Sequence, residues 1–375
     1  MAPDFFDRTL VEWTGYILLA AGVILTFLIQ FGVYFRLVFL KGAKAGEQQH
    51  PVSILLSTRN DEGRIAGLLD QLCRQDYPDY EVVVVDNFSE DNTLTIVGAL
   101  SKRYPNLKFS ALSQEMRFSG KMVVNLALKA ARYDWVIFLT PAVGEISSGF
   151  LKKINAEITE EHTATVNYIN YQWRKGFYNR WCRVERFYSF LASAAYSLSG
   201  MALFYQQSNV LFQKRVYFES EGFKGRMNDD FADMELLLNR RKMKVGVSVD
   251  PDTNLREDVP VGRRDFAELV QKRILIRKNF GWLKRMVLGL EDFAVMALFA
   301  GLIWLMITEI HYWFIFVPPF VPVLAVHLFI VKSLRNHLNE KKIFLSSLAY
   351  LLVRPVISGY HRVVLAIHMQ RNKWI

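Results

Sequence analysis

Asp86 and Asp233 stand where one element of the chain gives way to the next, and each keeps polar company suited to binding or group transfer. Asp86 closes the apolar run Tyr80-Glu-Val-Val-Val-Val-Asp86 and leads into Asn87 and Ser89, and Thr58, Arg59 and Asn60 follow the run that starts at Pro51. Hydroxyls, amides and a carboxylate gathered at strand ends can grip a polar ligand; a strand-terminal Asp can equally cap the helix that follows. Asp233 lies with Asp229, Asp230 and Glu235 at the start of the helical stretch Asp229–Arg241. Beside a substrate hydroxyl such a carboxylate is a general base, whereas alone it only complements the helix macrodipole. Lys121 opens an amphipathic helix, and Lys272, Arg273, Arg277 and Lys278 cluster on another. These cations can neutralise an anionic leaving group or mark the polar flank of a membrane segment.

The elements that position these groups are legible from periodicity. Pro51–Thr58 reads as a strand, Arg64–Gln75 as a helix, Tyr80–Asp86 as a second strand and Asp134–Leu139 as a later one. Unbroken apolar runs of this kind suit a parallel sheet buried on both faces. In such α/β sheets ligands sit at the carboxyl ends of the strands. Phe177–Gly200 spaces Trp181, Phe187, Tyr188, Phe190 and Tyr196 at helical intervals among Arg180, Arg183 and Arg186. That pattern predicts an amphipathic helix lying on a bilayer, flooring an acceptor site, or packed in the core.

Taken in order, these segments resemble the family-2 glycosyltransferases of GT-A fold. The likeness rests on Ser57-Thr-Arg-Asn60, Val83-Val-Val-Asp86 with Asn87, Gly120-Lys121 with Asn125, Ser208-Asn209 with Lys214 and Glu221-Gly-Phe223, and Ala232-Asp-Met-Glu-Leu236, covering about 51–281. The resemblance implies a nucleotide-sugar half at 51–144 and an acceptor half at 145–285. It casts Asp233 as catalytic base and Thr58, Arg59, Asn60, Asp86, Asn87, Lys121 and Thr140 as the donor pocket. Asn209 falls on the acceptor side, as do Gln271 and Arg273 from the family's Gln-x-x-Arg-Trp segment, of which Arg-Trp is absent here. The family's Asp-Ala-Asp, whose last carboxylate binds Mg²⁺ or Mn²⁺, is replaced by Thr140-Pro-Ala142. No metal ligand is therefore assigned, because hard cations depend on oxygen donors, commonly carboxylates; Glu145 would serve only if its loop folded back. The implied activity is inverting transfer of a sugar from a nucleotide donor to a polysaccharide or lipid-linked acceptor. The alternative is a silent relative that scaffolds a nucleotide or partner at the membrane.

Composition places this domain, residues 46–285, between membrane segments at 1–45 and 286–375. The chain is 51% hydrophobic and carries a net charge of +10. Trp13–Leu40 is long enough to span about 30 Å of hydrocarbon, and acidic residues at Asp4–Glu12 make it a poor signal peptide. Met286–Thr308 and Tyr312–Val331 follow, the first effectively starting near Phe293 and the second kinked at Pro318-Pro319 and Pro322. Ile343–Met369 predicts two interfacial helices broken at Pro355, with a fourth span as the alternative. Arg36, Lys41, Lys44, Arg277, Lys278, Lys284, Arg285, Lys332, Arg335, Lys341 and Lys342 flank these spans on one side. The positive-inside bias then predicts a multi-pass protein of the cell inner membrane with its globular domain in the cytoplasm. No nucleic-acid motif accompanies the charge, and Cys73 and Cys182 are isolated.

Overall fold

Val52, Ile54, Leu55 and Leu56, and likewise Val82 to Val85, are buried without alternation, as strands covered by helices on both faces must be. The computed structural model describes residues 10–42, 48–115, 119–227, 229, 232–239 and 243–371. In chain order the elements are α1 (Leu10–Ile29), β1 (Val52–Thr58), α2 (Ile65–Cys73), β2 (Tyr80–Asp86), α3 (Thr93–Arg103), β3 (Leu107–Ala111), α4 (Ser119–Ala130) and β4 (Trp135–Leu139). Then come α5 (Phe150–Ala156), β5 (Ala164–Val166), β6 (Ile169–Tyr171), α6 (Phe177–Leu198), β7 (Val210–Gln213), α7 (Arg215–Glu219) and α8 (Met234–Leu238). The last are β8 (Val245–Val247), β9 (Leu255–Glu257), α9 (Arg263–Lys278), α10 (Trp282–Thr308), α11 (Trp313–Phe316), α12 (Phe320–His337) and α13 (Phe344–Arg371). Two units result: residues 40–279 with 337–339, and residues 1–39 with 280–336 and 340–375.

The α/β unit holds a seven-stranded sheet in the order β3-β2-β1-β4-β7-β5-β8. Strands β3, β2, β1 and β4 run parallel, β7 is antiparallel to both β4 and β5, and β5 and β8 are parallel. Register sets the site: Thr58 pairs with Asp86, and Leu56 with Leu139, so the carboxyl ends of β1, β2 and β4 stand in a row. A separate parallel pair, β6 and β9, lies beside the β4 loop through a bridge between Val143 and Glu257.

Two expectations for this unit change. The helix foreseen over 229–241 shrinks to α8, because Asn239 turns its amide onto Phe204 O (2.7 Å) and Glu235 O (2.7 Å) and ends the turn there; Asp230 and Arg241 fall outside the described residues. Helix α6 forms as foreseen but is core, burying Cys182, Val184, Phe187, Phe190 and Leu191 along with Arg183 and Glu185.

In the other unit α1 and α10 pack antiparallel through glycines. A Cβ on Gly22 would stand 2.3 Å from Leu298 N, one on Gly301 2.5 Å from Leu19 N, and one on Gly15 2.6 Å from Trp304. Such close backbone approach is how apolar helices associate where the hydrophobic effect is silent. Trp13–Phe39 and Trp282–Thr308 are long and apolar enough to cross a membrane, and Ile310–Phe316 with Phe320–His337, bent by 56°, would make a third if counted as one span. The bend falls at Pro318-Pro319, as expected. Helix α10 starts before Phe293, since Glu291 accepts from the Tyr34 hydroxyl (2.6 Å) and Asp292 pairs with Arg362 (2.9 Å). The break expected at Pro355 does not occur: α13 runs through it. Proline removes only one backbone hydrogen bond from this helix of 28 residues, and the turns on either side carry it through.

Candidate functional site

The turns after β1 and β2 are laced together by side chains that bond across them. Asp86, almost fully buried, accepts from Thr58 Oγ1 (3.2 Å), from Ser89 N (2.9 Å) and from Ser89 Oγ (2.5 Å). Asn60 N donates to Ser89 Oγ (3.0 Å), and Asn60 Oδ1 accepts from Glu90 N (2.9 Å). Asn60 (φ 55°) and Phe88 (φ 57°) both sit in the left-handed region, a conformation a bulky residue adopts only when its surroundings impose it. Asp86 thus clamps its own loop and does not cap α3, whose N-cap Asn92 makes no side-chain capping bond and turns its amide to Glu62 instead (3.0 Å). Arg59 reaches across to Glu115 (2.6 Å) in a solvent-exposed pair.

Asp233 occupies the N-cap position of α8 but makes no capping bond. Its carboxylate instead lies 3.5 Å from the buried Lys121 Nζ, and Gly120 is small because a Cβ there would meet Asp233 Oδ2 at 3.2 Å. Lys121 Nζ also donates to the Asp229 carbonyl. Burial, then the neighbouring Glu235 charge, raises the Asp233 carboxyl above the usual Asp range against the opposing pull of Lys121 and Lys272. Glu235, fully buried, accepts from Asp233 N (3.1 Å) and pairs with Lys272 Nζ (2.6 Å). A continuous chain of charged groups therefore links Lys121 to α9.

Lys272 belongs to the wall of a cavity of about 320 Å³ at the end of β4, lined also by Thr140, Arg186, Ser208, Glu257 and Arg273. Arg273 donates from Nε to the buried Glu185 (2.6 Å), and Arg186 pairs with Glu257 (2.9 Å) while stacking 3.7 Å over the Tyr171 ring. Two atoms of this wall, Arg186 Nη1 and Ser208 Oγ, are buried and have no hydrogen-bond partner among the described residues. In the sequence Arg186 stands out only as one of the arginines of an aromatic-rich helix, and Glu185 and Glu257 do not stand out at all. The signal available was the adjacency of Glu185 and Arg186 on a helix whose apolar face is core.

The donor set does not fit a divalent cation of the family's kind. Thr140 Oγ1 accepts from Ala142 N (3.3 Å), and Ala142 O accepts from Asp258 N (2.7 Å), closing the loop where the two carboxylates would stand. Glu145 lines a different cavity with Gln71 and Asp252, while Glu257 and Asp258 are held by Arg186 and Arg174. Among the described residues no three His, Cys, Asp or Glu side chains converge.

The structure therefore gathers the expected residues into separate groups. Thr58, Asn60, Asp86 and Asn87 meet at the strand ends; Lys121 meets Asp233; Thr140 and Arg273 share the cavity wall. Asn209 and Gln271 are not on that wall. Asn209 is fully buried, and its amide donates to Tyr168 O (2.8 Å) and Thr253 O (2.9 Å), joining the two sheets instead of facing an acceptor. Gln271 turns the other way on α9, toward Tyr171 and Asp265.

Residues 53–230 match the family model described as glycosyl transferase family 2. The poly(ribitol-phosphate) beta-N-acetylglucosaminyltransferase TarS of Staphylococcus aureus is 39% identical over 113 residues, 30% of this chain and 19% of that protein. The beta-monoglucosyldiacylglycerol synthase of Trichormus variabilis is 32% identical over 102 residues, 27% of this chain and 22% of that protein. The matched stretches thus span about a fifth of each relative. Among solved structures, the mannosyltransferase PcManGT of Pyrobaculum calidifontis, in complex with GDP-Man and Mn²⁺, superposes with a TM-score of 0.55 at 17% identity, over 92% of this chain and 99% of that one. That likeness is one of fold.

Proposed function

We propose, for a chain that belongs through residues 53–230 to glycosyl transferase family 2, that it is a membrane-bound inverting glycosyltransferase acting on a polysaccharide or lipid-linked acceptor. The observation that carries the reading is the half-buried Asp233 carboxylate, which does not cap its helix, lies beside Lys121 and connects through Glu235 to Lys272 at the cavity. A carboxylate held above its usual range is a better proton acceptor than a free one. In this mechanism Asp233 takes the proton of an acceptor hydroxyl as its oxygen bonds to the anomeric carbon of the donor sugar. The bond from that carbon to the diphosphate breaks on the opposite face, and the nucleoside diphosphate leaves.

The nucleotide is assigned to the turns of Thr58, Arg59, Asn60, Asp86 and Asn87. Exposed ion pairs contribute little, so Arg59 can exchange Glu115 for a donor phosphate at small cost. No step is routed through a metal, because the residues present do not fit one. The apolar helices, with Lys and Arg at one set of ends, support a multi-pass inner-membrane placement with residues 40–279 in the cytoplasm. A second reading, a silent relative that scaffolds a partner or nucleotide, draws on the missing carboxylates of the 140–142 loop.

The two readings part in a transfer assay on the full-length protein in detergent, given a panel of nucleotide sugars and lipid or glycan acceptors. The enzyme reading expects transfer by the wild type and a loss of at least ~10²-fold in Asp233→Asn, the scale of a lost general base. Undiminished transfer by that variant would remove Asp233 from the mechanism; no transfer by the wild type with any donor, alongside retained nucleotide binding, would favour the scaffold.

A further inference from the structure

Every cation on the wall of the β4 cavity is already matched by a carboxylate. Arg273 is held by Glu185, Arg186 by Glu257, and Lys272 by Glu235. A phosphate or carboxylate entering here would have to break one of these pairs in a poorly solvated space, leaving a buried charge uncompensated. What the wall lacks is hydrogen-bond partners without charge: Arg186 Nη1 needs an acceptor, and the Ser208 hydroxyl has neither a donor nor an acceptor opposite it. Buried polar atoms left in this way are costly unless a ligand completes them. Thr140, Ser189 and Gln206 add further neutral polar groups to the same wall.

The size narrows the ligand further. About 320 Å³ lies at the low end of the ~300–1,000 Å³ typical of small-molecule pockets, enough for one sugar ring and too small for a whole nucleotide sugar. The guanidinium is also fixed before any ligand arrives, since Glu257 holds Nη2 and the Tyr171 ring supports its face. A fork locked in this manner loses little freedom on binding.

We infer that this cavity receives the hexosyl group of the donor, that the group is neutral, and that Arg186 and Ser208 are specificity-determining residues which bond its hydroxyls; this rests on the nucleotide-sugar reading above. Arg186 Nη1 donates to a sugar oxygen, and Ser208 Oγ exchanges one hydrogen bond with a second hydroxyl. Uronic acids are excluded, because their carboxylate would compete with Glu257 and Glu185 for cations that are already paired.

The test is calorimetric titration of the full-length protein in detergent micelles with UDP, UDP-glucose, UDP-N-acetylglucosamine and UDP-glucuronic acid, and with GDP, GDP-mannose and GDP-mannuronic acid. For the nucleotide that binds, a neutral sugar is expected to tighten affinity about tenfold over the bare diphosphate, while the matching uronic acid gains nothing. Ser208→Ala and Arg186→Lys should each erase most of the neutral-sugar gain and leave affinity for the bare diphosphate within about twofold, which also shows that the variants are folded. A uronic acid that equals or outbinds its neutral counterpart, or a sugar gain that survives both substitutions, overturns the inference while the donor reading stands. Failure of every nucleotide to bind the wild type instead overturns the donor reading, and this assignment with it.

Discussion

At the scale of single residues, the environment of Asp233 makes a prediction about stability as well as rate. Its folded-state pKa is raised, mainly by burial, so ionising it costs the fold free energy. That cost is absent below the unfolded value of 3.8 and develops as pH rises through the folded-state value. Asp233→Asn, which keeps Lys121 bonded to the Asp229 carbonyl, should therefore melt at the same temperature as the wild type or higher at pH 7, with the difference vanishing at pH 3; a lower melting temperature at pH 7 would mean that the Lys121 pair outweighs burial. The loop at Thr140 gives another expectation. Because Ala142 has no carboxylate and Glu257 is already held by Arg186, nucleotide affinity measured by calorimetry should be the same in Mn²⁺ and in EDTA. Loss of binding on chelation would require an ion held by residues not gathered here. At this scale the strand-end turns were legible beforehand, because Thr58 and Asp86 close two apolar runs, whereas the meeting of Lys121 with Asp233 is a tertiary contact that the sequence does not announce. Arg186, Ser208 and Glu257 were not legible either, since they come from α6, the approach to β7 and β9, and only tertiary pairing brings them to one wall.

At the scale of elements, glycines on α1 and α10 have opposite consequences depending on what a Cβ would meet. Gly22 and Gly301 face partner backbone at 2.3 and 2.5 Å, so Gly22→Leu or Gly301→Leu should force the helices apart and cost about 3 kcal/mol or more, beyond ordinary overpacking. Gly289 has nothing within 4 Å, and Gly289→Ala should stabilise by about 0.5–1 kcal/mol through helix propensity. Chemical denaturation in detergent would check both signs. Strand and helix existence was readable from apolar runs, and β2 ends where the sequence said. Helix α8 and the passage of α13 through Pro355 depart from local rules for separate reasons: the Asn239 amide that ends α8 donates to Phe204 O, a partner supplied by the rest of the fold, and Pro355 removes only one backbone bond from a helix of 28 residues.

At the scale of the whole molecule, the placement of Lys and Arg predicts topology. A reporter fused after Lys332 should read as cytoplasmic and one inserted at Glu309 as external; the reverse pattern would move residues 40–279 to the other side of the membrane. A fusion after Lys44, outside the described residues, should agree with the former. The membrane reading came from composition and run length alone, whereas the pairing of α1 with α10 was invisible to it, because glycine spacing in one segment does not name its partner. That pairing has a bearing on how the protein is made. Its first helix leaves the ribosome with the groove at Gly15 and Gly22 on a face that packs against α10, yet residues 40–279 must be synthesised in between. At roughly 5–20 residues per second, this is a wait on the order of tens of seconds. Throughout it, the first helix must be shielded by the insertion machinery or a membrane chaperone, and a nascent chain stalled before Trp282 would present that unpaired face to whatever surveys the bilayer.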